Sequence, residues 1–164
     1  MDALKGVELR AARSDDGAAV AAVFGAARSK MRFLPQLHSQ EEHVAFFSHV
    51  VLPTSRVTVA DAAGEIVGFS AVRDGWLDHL YVTPARQGRG IGGALLAQAM
   101  RESRGGLTLW AFVANDRALA LYRRAGFVEV LRTDGSANEE REPDVQMRWS
   151  PPPRRASSGA ARAR

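Results

Sequence analysis

The sequence predicts one α+β domain, a mixed α/β sandwich in which a mixed, mostly antiparallel sheet is flanked by about four helices. Three observations predict it. Two helical stretches come before any long β pattern, three strand-like runs then follow each other through two-residue turns, and a Gly-rich loop leads from strand into helix. A chain of 164 residues with 46% hydrophobic content buries one ordinary core.

Val7 to Ala11 reads as a short strand. Ser14, Asp15 and Asp16 then offer caps for a helix from about Gly17 to Ser29, rich in Ala and Val. A second helical stretch runs from about Ser39 to Val51. Glu41 and Glu42 suit the positive end of its dipole, and Pro53 is expected to close it. From Arg56 the period changes. RVTVAD, the turn Ala63-Gly64, IVGFSAVR, the turn Asp74-Gly75 and WLDHLYV read as a three-stranded antiparallel meander.

After Pro84 and a basic, Gly-rich loop comes a helix in which Leu95 stacks with Ala99 and Leu96 with Met100, until Gly105 and Gly106 stop it. LTLWAF reads as a buried strand. Asn115 caps a further helix ending at Gly126, and the strands FVEVLR and VQMRW follow around a polar connection. Residues 1–149 form the expected domain. SPPPRRASSGAARAR, residues 150–164, is a low-complexity basic tail expected to be disordered.

The formal charge of +4 lies in that tail, which holds Arg154, Arg155, Arg162 and Arg164, so Met1 to Trp149 carries 18 bases against 18 acids. A neutral body lacks the basic footprint of phosphate-backbone binding, and no nucleic-acid partner is expected. The chain has no cysteine, which excludes disulfides, thiolate metal sites and a cysteine nucleophile. No apolar run reaches the ~20 residues that span a bilayer, and MDALKGVELR lacks the apolar stretch of a signal peptide. A cytoplasmic protein with no membrane partner is expected, as monomer or homodimer.

The informative segment is Tyr81 to Gly93, YVTPARQGRGIGG. A strand passes through a Gly-rich loop into a helix whose first amides are free to hold an anion. Gly88, Gly90 and Gly92 let the backbone approach it, and Arg86 or Arg89 can pair with charged oxygens. This is a phosphate or pyrophosphate cradle. A P-loop would need Lys and then Ser or Thr, where Gly93 is followed by Ala94 and Leu95. A dinucleotide fingerprint matches formally at Gly88, Gly90 and Gly93, but the acid required about 20 positions later is replaced by the region of Phe112 and Val113. The preceding meander is also the wrong setting for a first βαβ unit.

Gln87-Gly88-Arg89-Gly90-Ile91-Gly92, directly after Leu80-Tyr81-Val82 and Pro84, resembles motif A of the GNAT superfamily of N-acetyltransferases, Gln/Arg-x-x-Gly-x-Gly/Ala. Asn115 to Phe127, NDRALALYRRAGF, resembles that family's second signature, with twenty-two residues between Gly92 and Asn115. The resemblance covers Val7 to Trp149 and implies a sheet splayed between its fourth and fifth strands. It implies acetyl-CoA as acyl donor, with no metal, and the pantetheine arm in the gap. The implied donor-binding residues are Leu80, Tyr81, Val82, Gln87, Gly88, Arg89, Gly90, Ile91, Gly92, Gly93, Asn115, Ala118 and Tyr122. Asn115, Ala118 and Tyr122 also fall on one helix face, with a small residue between two polar ones.

Amide formation sets the remaining demands. An alkyl amine of pKa ~10.4 is about one part in a thousand neutral near pH 7.5, worth roughly 4 kcal/mol of barrier, so a base or a desolvating site is needed. Asp78 and His79 stand on the strand that in relatives often supplies a carboxylate acting through water. Successive strand residues face opposite sides, so one of the two reaches the cleft unless a bulge intervenes. His79 has the better ordinary pKa; Asp78 would need raising by burial. Tyr122 is the candidate acid toward the leaving thiolate.

The acceptor is a small-molecule or peptide amine. TDGSANEEREPD, Thr133 to Asp144, has five acids against one Arg and would suit a cationic one, and MRFLPQLH, Met31 to His38, is the other expected wall, with His38, Glu41 and Glu42 as candidates. The alternatives are an acyl-CoA sensor of the same fold without chemistry and, less in keeping with the spacing, a dinucleotide-binding protein.

Overall fold

Two short turns build the first half of the sheet. Ala63 and Gly64 take φ of +54° and +94°, and Asp74 and Gly75 take +51° and +80°. Such paired left-handed residues turn a two-residue hairpin in the sense that suits twisted strands. They join β2 (Arg56–Ala62), β3 (Glu65–Arg73) and β4 (Trp76–Val82) into the expected antiparallel meander in this computed structural model, which describes residues 4–155. β1 (Glu8–Ala11) adds antiparallel to β2, leaving Val7 just outside the strand.

The second half is β5 (Leu107–Phe112), β6 (Val128–Thr133) and β7 (Asp144–Trp149), with β7 inserted antiparallel between the other two. The sheet order is β1-β2-β3-β4-β5-β7-β6, and only the β4–β5 contact is parallel. This is the mixed, mostly antiparallel sheet that the sequence predicts.

Helices cover it where their apolar faces dictate. α1 (Gly17–Ser29) buries Val20, Val23, Phe24 and Ala27 at helical spacing, the first three against Val57, Val59, Phe69 and Ala71. α4 (Ile91–Glu102) covers the opposite face, with Ile91 and Leu95 on Ala60 and Val67. α5 (Asp116–Arg124) sets Leu119 and Tyr122 on Leu109, Val145 and Met147 in the second half.

Two expectations about helix ends fail. Asp16 makes no side-chain cap for α1; its carboxylate instead takes the Arg13 amide at 2.7 Å and the Arg10 guanidinium at 2.8 Å, which hold it well below the usual carboxylate range. Pro53 does not stop the second helix at Val51. α2 (Gln40–Phe46) starts from a capping box between Ser39 and Glu42, widens into a π turn (Phe47–Val51) and ends as α3 (Leu52–Thr54), a short turn that contains Pro53. The Leu52 N–H reaches back to the Phe47 carbonyl, and this wide turn just ahead of Pro53 accommodates a residue that would clash with a regular helix.

No described helix is long and apolar enough to cross a membrane. The basic tail expected over 150–164 lies, from residue 156 on, outside the described residues.

Candidate active site

The sheet opens between β4 and β5. The two strands share a single register pair, Trp76 with Thr108, where the Thr108 N–H donates to the Gly75 carbonyl at 2.9 Å. Beyond it they part, and Leu80, Tyr81 and Val82 have no β5 partner among the described residues. A groove of about 700 Å³ occupies the gap, between these residues and the face of α5 that carries Asn115, Ala118, Leu121 and Tyr122. The splay expected between strands four and five is therefore present.

One end of this groove is the cradle. Gly90 is the N-cap of α4 at φ +82°, a left-handed conformation that other residues adopt only under strain. The first helical bond runs from the Ala94 N–H to the Gly90 carbonyl at 3.0 Å, so the Ile91, Gly92 and Gly93 amides precede the ladder, and no side chain caps them. A Cβ on Gly92 would stand 3.7 Å from both the Leu121 and the Val82 side chains, so α4 begins tightly between the two walls.

Gln87 fixes the loop by donating from Nε2 to the Val82 carbonyl at 2.9 Å, and it accepts from Arg117 Nη1 at 3.2 Å. Gly88 and Gly93 line the groove as expected. Arg89 and Ile91 do not bring their side chains: Arg89 is exposed outside the groove lining, and Ile91 is buried in the core, so each offers only backbone. The side-chain cations lining the groove are Lys30, Arg32, Arg86, Arg117 and Arg124. Sequence reading overlooked the last two because both belong to α5, far along the chain from the glycines; the cue available was their place on the signature helix. Free amides, guanidinium groups and a glycine-lined approach together fit a diphosphate.

Asn115 caps α5, its Oδ1 accepting the Ala118 N–H at 3.2 Å, while it also lines the groove. Tyr122 borders the groove too. It is 8% exposed, with its ring 5.7 Å from that of Phe127, and burial pushes its hydroxyl pKa above the ordinary tyrosine value.

A second cleft, of about 720 Å³, lies on the other side of Tyr81, which borders both. Here the β4 bulge decides orientation. Ala71 pairs with His79 but Val72 pairs with Leu77, leaving Asp78 as the extra residue, and both Asp78 and His79 line this cleft. Their environments push them in opposite directions. Burial raises the Asp78 carboxyl, against the pull of Arg73 3.6 Å away. His79 sits among Phe24, Phe46, Phe47, Phe69 and Tyr81, with ring centroids 5.2–6.2 Å away, and burial lowers its pKa to about 4.

Of the two expected walls, the acidic connection contributes Glu139 and Glu140, and the Met31 to His38 loop contributes only Leu34 to His38, its first three residues lining the other groove instead. Four of the five acids of that connection are engaged, however, Asp134 by the Ser136 N–H. Glu140 takes Arg28 at 2.7 Å, Glu139 meets His38 at 2.6 Å, and Asp144 bonds to Thr133 and Asn138. Glu42 is held in the capping box, and Glu41 does not line the cleft. Among the described residues no group of three His, Asp or Glu side chains is placed to hold a metal.

Comparison with known proteins adds a family. Residues 53–129 match the family described as an acetyltransferase (GNAT) domain. N-alpha-acetyltransferase RimI of Mycobacterium tuberculosis is 35% identical over 95 residues, 52% of this chain, which spans 60% of the length of that relative. Among solved structures, a GCN5-related N-acetyltransferase from Rhodopseudomonas palustris is 25% identical with a TM-score of 0.72, covering 87% of this chain and 94% of its own. The fold is also shared with yncA of Salmonella typhimurium, a structure that includes its cofactor acetyl-CoA, at 19% identity and a TM-score of 0.72, over 93% of this chain and 98% of that one. By sequence match, by the splayed seven-stranded sheet and by both signature segments, the chain belongs to the GNAT superfamily.

Proposed function

We propose that this chain transfers the acetyl group of acetyl-CoA to a primary amine by direct attack. The observation that carries the reading is that two clefts, one ending in a diphosphate cradle and the other holding a carboxylate raised by burial, meet at Tyr81. RimI bears the name of an N-alpha-acetyltransferase, and yncA contains acetyl-CoA. Both accord with a thioester donor in the first cleft and an amine in the second.

The amine nitrogen bonds to the acetyl carbon as the carbon–sulfur bond breaks, one proton leaves the nitrogen and one reaches the sulfur, so no covalent enzyme intermediate is needed. Asp78 is the base. Its raised pKa brings it toward the working pH, whereas His79, at about 4, is a weaker proton acceptor and shapes the apolar wall. Tyr122, which burial holds protonated at the working pH, gives its proton to the departing sulfur and regains one from solvent. A backbone N–H from Leu80 to Val82, where β4 has no β5 partner, polarises the carbonyl.

The test is thiol release from acetyl-CoA with a panel of primary amines, alongside thermal melts with acetyl-CoA and with NADH. Amine-dependent release is expected. Stabilisation by acetyl-CoA with no release on any amine would instead favour a sensor, and stabilisation by NADH alone would remove the whole reading.

A further inference from the structure

We infer that the acceptor is an amine carrying one ammonium group with a large apolar substituent, aromatic or branched aliphatic, on the adjoining carbons; this rests on the acetyl-transfer reading of the cleft. Eight large hydrophobic side chains among the described residues are exposed, and three of them stand on the rim of the cleft that holds Asp78: Leu37 at 45%, Phe46 at 43% and Trp110 at 43%. They come from a loop, the end of α2 and the middle of β5. No single amphipathic segment explains them, and their convergence is a product of the fold. Scattered apolar residues on a surface need no account, but an apolar wall around a reacting carboxylate is what a ligand's apolar group would cover.

The placement is close to the chemistry. The Phe46 ring lies 6.1 Å from His79, the neighbour of Asp78 on β4. Trp110, on the facing strand β5, lines the same cleft as Asp78. An ammonium at Asp78 would thus share its cleft with both aromatic side chains.

The charges argue for one ammonium and against a polycation. Glu139 and Glu140 already face His38 and Arg28, and Glu42 Oε2 accepts the Ser39 N–H at 2.6 Å. Asp78, 3.6 Å from Arg73, is the loosest of the cleft carboxylates. A polyamine would have to displace the internal partners of the others to use their charge, leaving Arg28 or His38 unpaired.

The experiment compares acceptors in matched pairs with the full chain at saturating acetyl-CoA. Phenylalanyl-diglycinamide is set against triglycinamide, and 2-phenylethylamine against spermidine, so that amine basicity is similar within each pair. The apolar member of each pair is expected to show kcat/KM about 10-fold or more above its partner. Phe46→Ser and Trp110→Ser should shrink both ratios to about 2-fold or less. Leu37→Ser, in a loop, supplies a third variant should either of those melt early. A better peptide assigns a chain terminus as the source, and a better phenylethylamine a free amine; either supports the inference. Equal or higher kcat/KM for triglycinamide and spermidine would overturn it while leaving acetyl transfer intact. Thiol release with none of the four, while another amine of the panel is acetylated, would also overturn it, and release with no amine at all would remove the transfer reading and the inference together.

Discussion

Replacing His79 by Phe should make the protein more resistant to acid, by an amount set by the aromatic cage. The unfolded chain protonates this ring near pH 6.5, whereas the native state resists protonation until about 4. Above pH 6.5 neither state carries the extra proton, and the neutral ring contributes its full stability. Between 6.5 and 4 the unfolded chain alone binds it, so native stability falls as pH falls, by about 1.4 kcal/mol per unit and about 3 kcal/mol in all. Phe has no such proton to bind. Urea melts of both chains at pH 7.5, 6, 5 and 4.5 give the two profiles, and their difference cancels the carboxylates that both share, including Asp16, Asp61 and Glu129, which lose their own stabilising charges at lower pH. The pH 7.5 point records any packing change of the substitution itself. Parallel profiles from 7.5 to 4.5 would refute the reasoning and return His79 to contention as the base.

Asp78→Asn should lower kcat/KM by about 10²-fold to 10⁴-fold and abolish the acidic limb of its pH profile, a limb that the wild type should show above the ordinary carboxylate range; a wild-type limb retained in the variant would assign the base elsewhere. Tyr122→Phe should cost roughly 10-fold to 100-fold in kcat while the Kd for acetyl-CoA changes little, and unchanged turnover would leave Tyr122 a packing residue beside Phe127. Gly92→Val should fold, since Gly92 is helical and its Cβ meets neighbours at 3.7 Å, yet the added methyls fill the approach between Leu121 and Val82, so calorimetric titration should find acetyl-CoA binding lost. Near-normal affinity in the folded variant would move the cradle. Arg117→Ala should weaken acetyl-CoA by about 10-fold and leave S-acetylpantetheine, which has no diphosphate, unaffected; equal losses for both would point to a loop displaced through Gln87.

What was legible in the sequence is what local chemistry decides. The Ala63-Gly64 and Asp74-Gly75 turns set the meander to within a residue at each strand end, the apolar spacing set α1 at Gly17–Ser29, and the glycines marked the cradle. What was illegible depends on partners distant in sequence. Asp16 looks like a cap until Arg10 claims its carboxylate, and the acidic connection looks like a cation trap until Arg28 and His38, more than 100 residues away, take Glu140 and Glu139 as partners. Pro53 reads as a stop because the widened turn before it has no signature of its own. The bulge at Asp78 was foreseen as a condition and could not be placed, since it is a property of the register between two strands.

That register also explains why donor and acceptor should meet here. β4 carries its one pairing with β5 at Trp76, its bulge at Asp78 and the residue that borders both clefts at Tyr81, all within six positions. The lone pairing holds the halves of the sheet together at one end and lets them part at the other, which frees the backbone beyond it for a ligand. The bulge turns a residue that simple alternation would direct elsewhere toward the second cleft, beside a ring whose burial keeps it neutral. Neutrality at His79 has a consequence for Asp78: with no imidazolium next to it, nothing on that side lowers the carboxyl, and the effect of burial prevails over Arg73. The aromatic cage therefore tunes the base indirectly. Phe47→Ala, which would loosen the cage and admit water to His79, should draw the acidic limb of the rate profile downward, and a limb that stays in place would show that the Asp78 environment is set by the bulge alone.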